Sequence, residues 1–382
     1  MTIPLSLYIH IPWCIKKCPY CDFNSHQAGS DLPEMQYIEC LINDLEQELP
    51  SIWGRNIQTI FIGGGTPSLF SPDALDYLFQ QIHARIPYSP HIEITMEANP
   101  GTVEQHKFQE FRKMGINRLS LGIQSFQDEK LQRLGRIHTG TEAHNAINTA
   151  KEAGFDNFNL DIMFGLPGQS LEDALHDVKN ALTHQPTHFS WYQLTIEPNT
   201  HYFQFPPKLP DDDYIWEMQE QGQALLNAAG LHQYEISAYS PDHLQCQHNR
   251  NYWLFGDYLG IGAGAHSKIT DSALGVVKRK WKIKHPKQYL AAKEFTAGEK
   301  IVSSSELPLD FMLNALRLHE PIACALFEER TLLAVDSIQQ QLHAAEKLGL
   351  ITCGVDYFST TSQGKLFLND LLQIFSSPDA TK

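Results

Sequence analysis

The chain has 382 residues, 42 % hydrophobic and 19 % charged, an ordinary globular composition on a length suited to two domains or one domain with an appendage. A net charge of −15 argues against a nucleic-acid surface and gives no pull toward an anionic bilayer. No window reaches the ~20 apolar residues of a membrane span, and Met1–Ser6 lacks the basic and apolar regions of a secretory signal, so the expected location is the cytoplasm.

In chain order, the apolar, partly β-branched run Leu5–Ile11 predicts a strand, and Met35–Leu49 follows with helical periodicity. Ile57–Ile62 is the next strand, followed by a Gly-rich turn and a helix opened by Ser71 and Pro72, a good cap and first residue. Ile92–Met96 is a third strand. Thr102 with Gln105 then reads as a capping box, and Gly115 stops the helix. Strands four to six are expected at Arg118–Gly122, Asn157–Met163 and His188–Leu194, with helices at Glu142–Ala153, Leu171–Leu182 and Tyr214–Ala229. Strand starts recur about every 30 residues, as βαβ units require. Six units predict an α/β fold with a parallel sheet curled into a partial (β/α)6 barrel over residues 1–240. No dinucleotide-type glycine motif follows the first strand to favour a flat doubly wound sheet.

From about Ser240 the pattern breaks. Residues 241–299 read as a connecting segment, loop-like and aromatic over 241–264. Lys278–Lys287 holds six Lys or Arg in ten residues and reads as solvated surface. Residues 300–382 form a small α-rich unit: helices near Leu307–Leu318 and Ser337–Leu348, short strands over 350–358, then Leu366–Phe375. That order is winged-helix-like, but its acidic excess weakens a DNA-binding reading.

The strongest chemical signal is Cys14-x3-Cys18-x2-Cys21, just beyond the carboxyl end of the first strand; the other four cysteines are scattered. A compact loop with three thiolates can wrap three corners of an iron–sulfur cube and leave the fourth iron open to a chelating ligand. A structural zinc would take four ligands, and His10 or His26 would complete a Cys3His alternative. Ligands of parallel sheets collect at the carboxyl ends of strands, and polar residues recur there. Gly63-Gly64-Gly65-Thr66-Pro67 follows strand two and Glu97 ends strand three; Gln124 ends strand four with Arg136 shortly after, and Asp161 ends strand five. Singly, each has a plain structural role as cap, turn or surface cation. Together they mark one mouth.

The run Tyr8-Ile9-His10-Ile11-Pro12-Trp13-Cys14 and the C-x3-C-x2-C spacing, with Tyr20 before the last cysteine, resemble the radical-SAM superfamily signature. The resemblance implies a [4Fe-4S] cluster on Cys14, Cys18 and Cys21 whose open iron binds S-adenosyl-L-methionine (SAM). It further implies SAM contacts from Tyr8, Gly64, Gly65, Thr66, Glu97, Gln124, Arg136 and Asp161, the carboxylates suiting ribose hydroxyls and Arg136 the SAM carboxylate. The segments G-G-G-T-P-S, E-A-N-P, L-S-L-G-I-Q-S-F and D-I-M-F-G-L-P-G-Q, with the C-terminal unit, resemble the oxygen-independent coproporphyrinogen III oxidase (HemN-like) family over nearly the whole chain.

Two departures separate the chain from the oxidase. Phe23 stands where the oxidase has a further cysteine, and the chain enters strand one within eight residues, without the oxidase's N-terminal arm. Both features point to the HemW branch, whose members look like heme chaperones delivering heme to respiratory cytochromes. That branch's His-Asn-x-x-Tyr-Trp motif is read here at His248–Trp253, with His248 implied as heme ligand and Cys246 as a lesser candidate. Gly260–Ser267 looks like a backbone-contact turn near the SAM adenine, where His266 reads as a loop hydrogen-bonder. Oxidative decarboxylation of coproporphyrinogen III is the rival activity.

Overall fold

A computed structural model describes residues 3–29, 31–101 and 106–376. Strands β1 (Leu5–Ile11), β2 (Ile57–Gly64), β3 (Tyr88–Ala98), β4 (Arg118–Gln124), β5 (Phe158–Phe164) and β6 (His188–Gln193) lie side by side in sequence order, all parallel. Helices α1 (Glu34–Glu48), α2 (Pro72–Arg85), α3 (Phe108–Lys113), α4 (Asp128–Arg133), α5 (Gly140–Glu152) and α6 (Leu171–Thr183) lie between successive strands, and α7 (Asp212–Ala228) follows β6. Their starts are written locally: Ser71 accepts from the Ala74 amide ahead of Pro72, and Thr139/Glu142 and Ser170/Asp173 form reciprocal capping boxes. The expected box at Thr102–Gln105 lies outside the described residues.

Side chains alternate across this sheet. Leu7, Ile9, Ile60, Ile62, Leu119, Leu160 and Phe189 are fully buried in the apolar layer under the helices. The other face carries Tyr8, His10, Thr59, Glu97, Ser120, Asp161 and Ser190. Two apolar faces would simply make a core; one polar face makes a lined chamber.

Residues expected as loop and connector instead extend the sheet. The short helix α8 (Gln247–Trp253) is followed by β9 (Asp257–Ile261), which inserts parallel beside β1, with Tyr8 opposite Gly260. Strands β10 (His266–Asp271), β11 (Val276–Lys282) and β12 (Thr296–Val302) continue outward antiparallel. At the far edge β7 (His232–Gln233) and β8 (Ala238–Ser240) close a twelve-stranded sheet. The glycines that read as loop punctuation are close-packing residues: a Cβ on Gly260 would fall 2.1 Å from the His266 carbonyl oxygen.

The basic run is solvated only in part: Lys284 and Lys287 are exposed, but Lys282 is not. In β11, Lys282 is 2 % exposed, its Nζ 2.6 Å from Asp44 Oδ1 and 2.7 Å from Glu48 Oε1, both on α1. Lys280 reaches Glu48 at 2.9 Å.

The C-terminal unit keeps the expected elements in order and adds a strand, Ile322–Ala323, and a helix, Cys324–Thr331, between the two expected helices. Helices α9 (Leu307–Ala315), α10 (Cys324–Thr331), α11 (Gln339–Lys347) and α12 (Leu368–Ile374) surround an antiparallel sheet of β13 (Ile322–Ala323), β15 (Tyr357–Thr360) and β14 (Ile351–Cys353). Its core, around Phe311 and Phe327, also takes in Phe255, Val277 and Val302, so the unit is welded to the edge of the large sheet.

Candidate functional site

Cys14, Cys18 and Cys21 are free, half-buried thiols on the loop leaving β1. Backbone bonds shape the loop: the Ala28 amide donates to the Cys14 carbonyl (2.8 Å) and His26 to that of Pro12 (2.7 Å). Lys17 Nζ donates to the carbonyls of Phe23 and Ser25, both at 3.1 Å, folding the loop back on itself. Burial pushes the Cys14 and Cys21 thiols above the ordinary range, so they need a metal's charge to ionise fully. The three thiols share one wall of a cavity of about 500 Å3. Among the described residues no three His, Cys, Asp or Glu side chains converge as a single-ion site. The histidines proposed for a zinc are committed elsewhere: His10 to Tyr8 Oη (3.0 Å) and the Asn24 carbonyl (2.9 Å), His26 to Asn24 Oδ1 (3.3 Å). Three thiols spread about one cavity suit a cubane cluster.

The same cavity is lined by Gly64, Gly65, Thr66, Glu97, Gln124, Arg136 and Asp161. Gly64 has φ +111°, and a Cβ there would lie 2.4 Å from His10 Cε1, so only glycine lets the turn pass. Its amide donates to Glu97 Oε2 at 3.0 Å. Arg136 donates to Asn99 Oδ1 (2.5 Å) and the Gly122 carbonyl (2.7 Å), with Cys18 Sγ at 3.9 Å. Asp161 accepts from Ser120 (3.1 Å) and Asn159 (2.8 Å). Burial, with the Asp161 charge adding to it, pushes Glu97 up to about 7. Two buried carboxylates facing one chamber are suited to a cationic, hydroxyl-bearing ligand.

Sequence reasoning missed Asn99 and Tyr192. Asn99 Nδ2 donates to Thr66 Oγ1 at 2.8 Å while its oxygen holds Arg136; Tyr192 Oη donates to Gln124 Oε1 at 2.7 Å. Their signal was position, since Asn99 and Tyr192 also stand at strand ends. Tyr8 lies apart from the cysteine cavity, on the wall of an adjoining one.

That second cavity, about 600 Å3, shares Phe23, Gly64 and Glu97 with the first. Its floor is Tyr252, Trp253 and Phe255 from α8 and the turn after it. His248 sits beneath that floor, 1 % exposed, with Nδ1 2.8 Å from Thr59 Oγ1 and Nε2 2.9 Å from Tyr252 Oη. Burial, aided by Arg118, pushes it down to about 3. Cys246 is fully buried, its thiol raised to about 12 by burial. His266 does line the cavity, and the expected loop hydrogen bond is not there: its ring makes none among the described residues.

Residues 8–181 match the Radical SAM superfamily and residues 302–367 the HemN C-terminal domain. The chain is similar to the heme chaperone HemW of Haemophilus influenzae, 52 % identical over 97 % of this chain and 98 % of the relative. It is 50 % identical to that of Escherichia coli over the same shares, and 34 % to that of Bacillus subtilis over 97 % and 98 %. Its fold is that of the E. coli coproporphyrinogen III oxidase HemN, a radical SAM enzyme, with TM-score 0.84 at 22 % identity, covering 98 % of this chain and 91 % of the other.

Proposed function

Because the chain belongs to the HemW family within the radical SAM superfamily, we propose that it binds heme and hands it to heme-receiving respiratory cytochromes in the cytoplasm. The observation that carries this reading is the 52 % identity with a heme chaperone along 97 % of the chain. Among the described residues no helix is long and apolar enough to cross a membrane.

Family membership brings a [4Fe-4S] cluster and SAM, which together supply a route to a deoxyadenosyl radical when bound. The chain's own residues hold that pair: Cys14, Cys18 and Cys21 the irons, and the Gly64–Thr66 turn a close backbone approach. Glu97 and Asp161 take the ribose hydroxyls and cationic groups of SAM, and Arg136 its carboxylate. Gln124, braced by Tyr192, and Tyr8, across the shared wall, complete the set. The test of the reading is anaerobic reconstitution followed by separate heme-binding and coproporphyrinogen-turnover assays. About one heme per chain without decarboxylated product supports a chaperone; product formation would restore the oxidase.

Glu97 gives a pH prediction for the cofactor. With its carboxyl raised to about 7 in the SAM-free chain, cationic SAM must displace a proton below that value but not above it. SAM affinity is therefore expected to fall about tenfold from pH 8 to pH 6. In Glu97→Gln that slope should flatten, as read by titrating SAM against the EPR signal of the reduced cluster. The same slope in the variant would move the titration to another group.

A further inference from the structure

The second cavity is built unlike the first. Tyr252, Trp253, Phe255, Trp281 and Phe23 all border it, Phe255 buried and Trp281 and Phe23 38 % and 58 % exposed. Its size lies within the ~300–1,000 Å3 of small-molecule sites, and an aromatic lining suits a flat apolar ligand. Its charges are sorted: Glu97 at the end shared with the cysteine cavity, cations along the β10–β11 side. Arg279 there is held by Asp310 (3.0 Å), and Lys268 and Lys282 are buried in ion pairs. Lys284 differs, for it is exposed and has no ion pair among the described residues.

His266 opens β10 directly opposite Trp281 in the strand register. His266 is exposed, borders this cavity, and its ring has no hydrogen-bond partner among the described residues. Burial, then the Arg279 and Lys284 charges, depress its basicity, which keeps an imidazole lone pair free at neutral pH. A neutral imidazole among aromatic side chains, with no hydrogen-bond partner among the described residues and an exposed lysine on the same cavity, has the chemistry of an iron porphyrin's axial ligand and propionate partner. His248 offers the opposite: both nitrogens engaged under the floor.

We infer that heme binds in this second cavity, with His266 ligating the iron and Lys284 facing a propionate. This rests on the heme-chaperone reading and adds a seat and a ligand to it. The seat abuts the cluster cavity, with Phe23, two residues past Cys21, between them. His248 becomes a positioning residue, setting the Tyr252 ring through their hydrogen bond.

The test titrates hemin into the full chain and records stoichiometry, the Soret band and EPR g-values. His266→Ala should keep about one heme per chain but lose the histidine-ligated signature, because removing an imidazole changes the ligand field while the apolar walls still bind the ring. Imidazole added to His266→Gly should restore it. His248→Ala should loosen binding and leave the signature in place. Lys284→Gln should cut the preference for hemin over its dimethyl ester by about two- to fivefold. An unchanged spectrum in His266→Ala, with the signature lost instead in His248→Ala, would overturn this inference and leave the chaperone reading standing. Hemin binding no better than to an unrelated acidic protein would sink the chaperone reading, and the inference with it.

Discussion

Cys14→Ala, Cys18→Ala and Cys21→Ala are each expected to abolish the cluster outright, while Cys40→Ala keeps it. Among the described residues three thiols line the cavity, and a cube held at three corners with its fourth iron open has no ligand to spare. Cys40 lies on α1, 8 % exposed, with its sulfur 3.9 Å from the Leu290 carbonyl oxygen and no access to that cavity. Iron and acid-labile sulfide after anaerobic reconstitution should read about four per chain in the parent and Cys40→Ala, and near zero in the other three. The thiolate-to-iron charge-transfer absorption should vanish with them. Stoichiometric zinc with no iron uptake in the parent would refute the assignment.

The largest stability loss is expected from Lys282→Ala. This lysine is clamped between Asp44 and Glu48, whose side chains are 0 % and 2 % exposed. Asp44 also accepts from Tyr289 Oη (2.7 Å) and the Gly262 amide (3.1 Å), tying α1 to the turn after β9. Removing the cation strands Asp44 in the core and leaves Glu48 to Lys280 alone, at 2.9 Å, and breaking a buried pair this way typically costs ~3–5 kcal/mol. Chemical denaturation should show that loss as a lower midpoint. The sign with pH follows: without Lys282, burial holds the Asp44 carboxyl still further above the ordinary range in the folded state, so unfolding releases a proton and the deficit shrinks as pH falls from about 8 to 5. A triple Lys282→Met, Asp44→Asn, Glu48→Gln chain should recover much of the loss. A deficit that stays constant with pH would point to lost packing rather than stranded charge.

These residues also mark what could be read from the sequence. The barrel was legible because each βα unit announces itself locally: apolar strands, capped helices and polar residues at the strand ends. The cysteine cavity was legible for the same reason, since Gly64, Glu97, Gln124 and Asp161 are each placed by their own strand. What was lost depended on partners far away in the chain. Lys278–Lys287 looked solvated because Asp44 and Glu48 stand more than 200 residues earlier, on a helix whose periodicity does not advertise buried acid. Gly260 and Gly262 looked like loop because a glycine demanded by close backbone packing is written the same way as one in a turn. His248 and His266 are equally plain in sequence, and only burial and hydrogen bonding tell them apart.

The neighbours of β1 carry a consequence for how the protein is made. One neighbour, β2, leaves the ribosome soon after it, but the other, β9, follows roughly 250 residues later, which at ~5–20 residues per second is roughly 12–50 s of elongation. The cysteine loop is anchored across the same seam: Asn24 Nδ2 donates at 2.8 Å to the carbonyls of Ala263 and Lys284. Throughout that interval a nascent chain holds three thiols on an unfastened loop beside an unpaired strand edge. Iron delivery therefore belongs after β9 and the segment through Lys284 have emerged, and a chain stalled or truncated before that point would be open to thiol oxidation and edge-to-edge pairing.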